Sequence, residues 1–442
     1  MNRLRLLVLW LSTGTVSAAS AAGFVAIPWF VLMTTGSAAN VGMVTAAELV
    51  GMLLATALSG PLIDRVGPAR TAPLADLAAA LCIGAIPLAE TTTGLTLWSL
   101  MSLAGAFGAF REPGQTARRV AVPELVGNAG VAMERGAGGM DAALRAGHLS
   151  GAPLAGGALA LFDPPGVLWI ATAVMTLSAL LVAYAARGVT TSGSAGQDTS
   201  EGFARRFAAG IGYLRRDRLI TWIVVLLLLT NTLDLALTGV LLPTYSARIL
   251  HDSLALGVLV GALGGAALTG NLLFTWLGAR VRRRRMLFTF AFALGPIPPH
   301  LAMAAGSGFA VLFCVVVGCG LVAGMINPIL AAVSYERIPA ELRGRVLSLT
   351  TLVAQGGTPL GVLFGGLAVE GIGLRTTLTC TALLYLVALA IPVLGGGWHE
   401  MNRPRTRPTA EEVVVGSTPH GGQELVDSSS PGCGRQTEDR GW

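Results

Sequence analysis

The chain has 442 residues, of which 53% are hydrophobic and only 12% charged, about half the charged share of a soluble globular chain. That balance weighs against a soluble enzyme, and at about 20 apolar residues per membrane-spanning helix the length holds about a dozen spans with no room for a large extramembrane catalytic domain. All 30 basic residues are arginine and the net charge is +6, but they fall in short clusters between apolar runs, which fits membrane orientation and not nucleic-acid binding.

In chain order, apolar runs separated by polar or Pro/Gly breaks predict twelve spans over residues 6–33, 38–62, 71–89, 94–113, 137–161, 165–187, 219–246, 253–278, 286–305, 308–332, 346–369 and 373–396. The opening MNRLRLLVLWL resembles a signal peptide, but its apolar stretch continues to about Val31 without a cleavage site and reads as a retained first helix. The 58 glycines and 22 prolines sit among Leu, Ala and Val, where small residues serve close helix contact. The chain is therefore expected to be an all-α membrane protein: a six-helix bundle over 1–187, a linker over 188–218, a second six-helix bundle over 219–397 and a disordered tail over 398–442. Within the linker, Phe203, Phe207, Ile211 and Leu214 stand at helical spacing among arginines, the pattern of a short helix lying on the membrane face.

Orientation follows from the arginines. With Arg145 inside a span and Arg435 and Arg440 far down the tail set aside, placing both termini in the cytoplasm leaves only Arg248 and Arg375 facing outward. A multi-pass plasma-membrane protein with both ends inside is expected. Cys82, Cys314, Cys319 and Cys380 lie in apolar segments and Cys433 in the tail; their spacing suggests neither a metal site nor a disulfide framework.

The second half repeats the first. At a shift of 215 residues Pro28 falls on Pro243, Gly42 on Gly257, Gly105 on Gly320 and Pro113 on Pro328; later Pro153-Leu154 falls on Pro359-Leu360 at a shift of 206. These are residues that set backbone geometry. Two parallel six-helix halves are a transporter architecture, with the substrate site at their interface near the midplane.

Between spans two and three stands Gly60-Pro-Leu-Ile-Asp64-Arg65-Val-Gly67-Pro-Ala-Arg70. Its glycines allow a tight turn and close helix approach, and Asp64 is placed to pair with Arg65, Arg70 or Arg111. The segment resembles the signature loop of the major facilitator superfamily, departing from it at Pro68 and Ala69, where basic residues are usual. The resemblance implies twelve helices in two pseudo-symmetric bundles and a conformational latch at Gly60, Asp64, Arg65, Gly67, Arg70 and Arg111. The repeat-equivalent of Asp64 is Ala279, so the second half keeps a basic loop without the acid.

In span five, Gly147, Gly151, Pro153, Gly156 and Gly157 resemble the glycine-proline motif of antiporter members of that superfamily, with Ala152 in place of a glycine. Glycines on one face also serve packing alone. The stretches Ala121 to Val126, Tyr335 to Val346 and Gly202 to Leu219 resemble the macrolide-efflux-type drug:proton antiporters. The resemblance covers residues 1 to 397 and implies efflux without fixing the substrate.

Ionisable residues inside spans are costly in lipid and mark functional positions. Glu48 lies ten residues into span two, ~15 Å at the helical rise, near the bilayer middle. Asp234 in span seven carries Asn231 and Thr238 on its own face. The equivalent face of span one bears Thr13, Ser17, Ser20 and Phe24, and the two faces together suit a wet cavity between the halves. Asp141, Arg145 and His148 share a face of span five, either as a relay or with Asp141 and Arg145 neutralising each other. Asp76, near the start of span three, reads as structural. Glu48, Asp234, Asp141 and His148 are thus the expected proton-coupling groups.

No phosphate-cradling G-x-x-x-x-G-K-[ST], zinc-binding H-E-x-x-H or nucleophile-turn G-x-S-x-G is present. The expectation is a monomeric secondary transporter without cofactor or metal, whose partners are the lipid bilayer, protons and a small-molecule substrate. It exports an amphipathic molecule such as a drug, antibiotic or siderophore-like compound. Nutrient uptake by the same fold, or a non-transport membrane sensor, are the alternatives.

Overall fold

The computed structural model describes residues 2–92, 94–187, 189, 212, 217–277, 284–338 and 340–394. The linker helix, the basic loop after span eight and the tail fall outside them. The first half comprises α1 (Asn2–Thr35), α2 (Ala38–Val66), α3 (Pro68–Thr92), α4 (Leu97–Ala129), α5 (Met133–Leu161) and α6 (Pro164–Ala185). The second half begins at Arg218–Ala236, which continues through a π-helical turn Leu237–Leu241, Leu242–Tyr245 and a second π turn Ser246–Leu250 to complete span seven. Span eight is Ser253–Leu277, and span twelve is Leu374–Leu394. Spans nine, ten and eleven are each broken in two: Arg284–Leu294 with Ile297–Ala304, Phe309–Ala323 with Ile326–Arg337, and Ala340–Gly356 with Thr358–Ile372.

Local chemistry sets the ends. The Ser37 hydroxyl accepts from the Asn40 amide at the start of α2, and Thr96 and Ser99 form a reciprocal capping box at α4. Asp217 accepts from the amides of Leu219 and Ile220 at span seven. Gly67 alone breaks α2 from α3: its φ of 83° is open to glycine, and Pro68 then starts α3 without an amide to satisfy. This corrects the expected turn at Gly60. Residues 60 to 66 are helical, and Gly60 faces open space. Ala121 to Val126 are likewise helical, because α4 runs on to Ala129 before Gly130 ends it in the left-handed conformation.

Nine of the described helices are long and apolar enough to cross a membrane. The three remaining spans are the 21-residue Leu374–Leu394 and the charged α4 and α5, with Arg111, Glu112, Arg118, Arg119 and Glu124 on one and Glu134, Arg135, Asp141 and Arg145 on the other. Charged helices persist in a bundle only where partners or water receive the charge.

One such charge was not legible as buried. Arg118, counted in sequence among the arginines at the membrane face, is 1% exposed and pairs with Asp76, itself 2% exposed. The Arg118 guanidinium also donates to the hydroxyls of Ser12 (3.3 Å) and Ser178 (3.0 Å), and Ser178 donates to Asp76 at 2.8 Å. Four helices, α1, α3, α4 and α6, are tied at this point, in keeping with a structural Asp76. Removing one charge of a buried pair strands the other and costs about 3–5 kcal/mol. Asp76→Asn is therefore expected to lower the thermal stability of the purified protein by an amount of that order, and the double change with Arg118→Gln to recover much of it. Equal stability of the single and double variants would mean that the charge is not what binds these helices.

The halves meet at the side of the bundle where α1 ends and α2 begins, opposite the start of α1. There α2 packs against Thr358–Ile372 and α5 against Ser253–Leu277. Gly42 and Gly257, equivalent by the repeat, lie at the two crossings. A Cβ on Gly42 would stand 2.6 Å from the Val362 carbonyl oxygen, and one on Gly257 would stand 2.7 Å from Cα of Gly156. Arg248 donates to the Gly36 carbonyl at 2.9 Å and the Ser37 hydroxyl lies 3.4 Å from Glu370, closing the same side.

Candidate functional site

A cavity of about 660 Å³ lies between the halves, lined from the first by Arg119, Asp141, Arg145 and His148 and from the second by Asn231, Asp234 and Asn327. Its position follows from the closed contacts: with the helices pinched together at the far side, the space between them widens toward the end at which α1 begins.

Asp234 is exposed to this cavity. One carboxylate oxygen accepts from the Tyr385 hydroxyl, whose oxygen also lies 3.1 Å from the Thr230 carbonyl. Asn231 donates to the Ala354 carbonyl at 3.2 Å, and the Thr238 hydroxyl donates to the backbone oxygen of Asp234 at 3.0 Å. The expected polar stripe of span seven is thus brought to the cavity, but two of its side chains are spent on backbone acceptors. Tyr385 was missed in sequence. A tyrosine in an apolar run carries no signal until the fold places it against an acid. His300 was missed likewise: it is fully buried, its Nδ1 lies 2.7 Å from the Pro296 carbonyl, and its ring centroid stands 5.5 Å from that of Tyr385.

Glu48 is not at the cavity. It is 2% exposed between α2 and α4, with Arg111 Nη1 at 3.4 Å from its carboxylate. Arg111 also reaches the Met52 sulfur at 3.2 Å, stands over the Phe107 ring and lies 4.0 Å from Glu112. This overturns the expected pairing of Arg111 with Asp64. Sixteen residues of one helix separate Glu48 from Asp64, ~24 Å at the helical rise, so an arginine bound to the first cannot serve the second. Asp64, Arg65 and Arg70 are all exposed, and Asp64 has no hydrogen-bond or ion-pair partner among the described residues.

Span five divides between packing and solvent. Gly147 and Gly151 seat α5 on the Gly14 to Ala21 stretch of α1, Pro153 meets Gly261, and Gly156 meets Gly257 of the other half, while Gly157 is nearly uncrowded. On the opposite face Arg145 Nε donates to Asp141 at 2.7 Å, with both side chains more than half exposed, a solvated pair worth a few tenths of a kcal/mol. His148 is exposed beside them, its Nδ1 3.1 Å from the Leu144 carbonyl, and lies within electrostatic reach of Arg111 and Glu112.

The α1 face corrects a further expectation. Thr13, Ser17 and Ser20 are each no more than 2% exposed; α5 closes over Thr13 with Met140 and over Ser17 with Gly147. Thr13 donates to the Leu9 carbonyl at 2.8 Å, and the buried hydroxyls of Ser17 and Ser20 have no hydrogen-bond partner among the described residues. None of the three lines the cavity. Phe24 reaches across toward Gly239 in the π turn of span seven. Among the described residues no cluster of His, Cys, Asp or Glu has the geometry to hold a metal.

Known proteins resemble this chain over nearly its whole length. It is 30% identical over 413 residues to the "Multidrug efflux pump Tap" of Mycobacterium tuberculosis, covering 92% of this chain and 95% of that protein. It is 26% identical over 408 residues to the pump of the same name from Mycolicibacterium fortuitum, covering 91% and 96%. Among solved structures, the nucleoside transporter NupG superposes with a TM-score of 0.69 at 14% identity, over 89% of this chain and 99% of that one. A bacterial homologue of the iron transporter ferroportin, in an inward-facing state, gives 0.66 at 17% identity, over 89% and 98%. These two establish the fold alone. The profile of the Major Facilitator Superfamily matches residues 9–362 and 231–419. Twelve spans in two repeated halves around a polar cavity, together with that match, make this chain a member of the Major Facilitator Superfamily, a multi-pass membrane transporter and not an enzyme.

Proposed function

We propose that the protein is a proton-driven exporter of an amphipathic small molecule, of the macrolide-efflux type, which works as a monomer by alternating access in the plasma membrane with both termini in the cytoplasm. The observation that carries this reading is the division of labour between two acids: Asp234 open to the cavity and Glu48 sealed behind Arg111. The arginine distribution and the multidrug pumps that resemble the chain support the direction of transport. With both termini in the cytoplasm, as this reading has them, the cavity faces the cytoplasm and the pinched side faces outward.

The arrangement couples the two acids electrostatically. With Glu48 ionised, Arg111 is neutralised and a cationic cargo is free to settle at Asp234. A proton on Glu48 leaves the Arg111 charge unbalanced in a poorly screened interior, where it opposes a cation in the cavity. Proton and cargo then exclude each other, as exchange requires. The exposed Asp141–Arg145 pair contributes little net charge. Asp64, free in this state, is the latch that engages when the inner side closes.

In vesicles with the cytoplasmic face outward, an interior-acid pH gradient is expected to drive accumulation of ethidium at least tenfold over gradient-free vesicles, and an ionophore that collapses the gradient to abolish it. Cargo leaving the vesicles under the same gradient would make the protein an uptake transporter, and flux indifferent to the gradient would remove proton coupling.

A further inference from the structure

A second cavity, of about 250 Å³, opens from the side of the first and lies wholly within the second half, among spans seven, eight, nine and ten. The two share Asp234, Ala267, Phe292, Ala323 and Ile326, which form a neck. Beyond it the walls include Leu237, Leu242, Leu263, Met303, Leu312 and Val316. Its one hydroxyl, that of Thr238, already donates to the Asp234 backbone. Water needs two to four polar partners to occupy such a space well, and these walls supply almost none. An apolar group loses nothing there and leaves water behind.

The charge stands at the neck. Tyr385 holds Oδ1 of Asp234, and the other oxygen has no hydrogen-bond partner among the described residues. The vestibule arginines are occupied or placed elsewhere: Arg145 is paired with Asp141, and Arg119 also lines a side pocket with Met133 and Met140. We infer that the apolar pocket behind Asp234 is a cargo subsite that takes the single hydrophobic limb of a cationic molecule whose positive group rests on the Asp234 carboxylate. The inference rests on the reading of Asp234 as the cargo contact and adds the shape and chemistry that the cargo must have. Ala323 is the specificity-determining position. A Cβ on the facing Gly295 would stand 3.2 Å from Cβ of Ala323, so the passage is narrow and small residues keep it open.

The test uses alkyltrimethylammonium ions, from tetramethylammonium to hexyltrimethylammonium, binding to the full chain in lipid nanodiscs, where no detergent tail competes. Each added methylene is expected to tighten binding by about fourfold until the pocket is filled. Ala323→Leu, which plugs the neck, and Val316→Phe, which fills the pocket from within, are each expected to abolish that gain while tetramethylammonium binds as before. Asp234→Asn should weaken the whole series by about tenfold or more and leave the gain per methylene intact. A gain per methylene that survives both Ala323→Leu and Val316→Phe would overturn the subsite, and a series indifferent to Asp234→Asn would overturn its cationic partner. Failure of the export reading looks different: limb-dependent binding intact, with no gradient-driven flux.

Discussion

Glu48→Gln is expected to abolish gradient-driven export, by at least ~100-fold, while the protein still reaches the membrane and binds cargo only with the weakened affinity of the protonated state. Glutamine keeps the size of the side chain and removes the site that alternates between charged and neutral, so Arg111 is left permanently as it stands in the protonated state. Proton and cargo occupancy are linked and the linkage is reciprocal: if a proton weakens cargo binding, cargo binding must expel a proton. Purified protein should therefore release protons when cargo is added, and the Glu48→Gln variant should release none. Its cargo affinity should also lose the rise with pH that the unchanged protein shows. Proton release equal to that of the unchanged protein would make Glu48 a structural partner of Arg111 and move the coupling site to Asp234 or to the Asp141, Arg145 and His148 group.

Gly257→Leu is expected to stop transport as completely by a different route. The closed side, where α1 ends and α2 begins, depends on helices that approach until a Cβ on Gly257 would stand 2.7 Å from Cα of Gly156 and 2.5 Å from the Ala152 carbonyl oxygen, well inside the ~3.5–4 Å of carbon contact. Both neighbours are backbone and have no rotamer with which to yield. The variant should remain folded with this side open, since each half keeps a buried cluster of its own away from the crossing, around Leu125 in the first and Phe288 in the second. Thr45, 1% exposed on α2 and packed against Gly239 of the other half, reports on the separation of the halves. A cysteine there, in a background without the native cysteines, should react with a membrane-impermeant maleimide in the Gly257→Leu protein and resist it otherwise. Full transport, or an unreactive cysteine, would show that the crossing tolerates a side chain and is not the gate.

The two expectations differ in how far sequence carried them. Glu48 stands out in an apolar run because a charge there is costly wherever the helix points, but its partner Arg111 lies 63 positions away on another helix, and nothing along the chain says which of several arginines turns inward. Arg118 makes the same point more sharply. It follows Ala117 and precedes Arg119 near the end of α4, where sequence reads a membrane-face cluster; in the structure one arginine of the pair enters the core to meet Asp76 and the other lines the cavity.

Gly42 and Gly257 are the complementary case. The repeat singled them out as equivalent residues that shape the backbone, and the fold shows their use, at two crossings where the halves touch. Thr13, Ser17 and Ser20 fell to the opposite error. Their helical spacing correctly put them on one face, but a face has no address until its neighbour is known, and α5 covers this one.

By itself the sequence determined the twelve spans, the two repeated halves, the signature segment at Asp64 and the acids at 48 and 234. Each of these is a sum or spacing over neighbouring residues, and the cost of placing polar groups in lipid makes such local sums decisive. Tertiary structure decided what no local sum contains: which face of each helix meets which other helix. That choice joined Glu48 to Arg111 and Asp234 to Tyr385, hid the hydroxyls of α1, left Asp64 free, and opened the apolar pocket behind the acid. Helices in lipid are selected by their close packing and not by their hydrophobicity, so these pairings follow from where small residues let backbones approach.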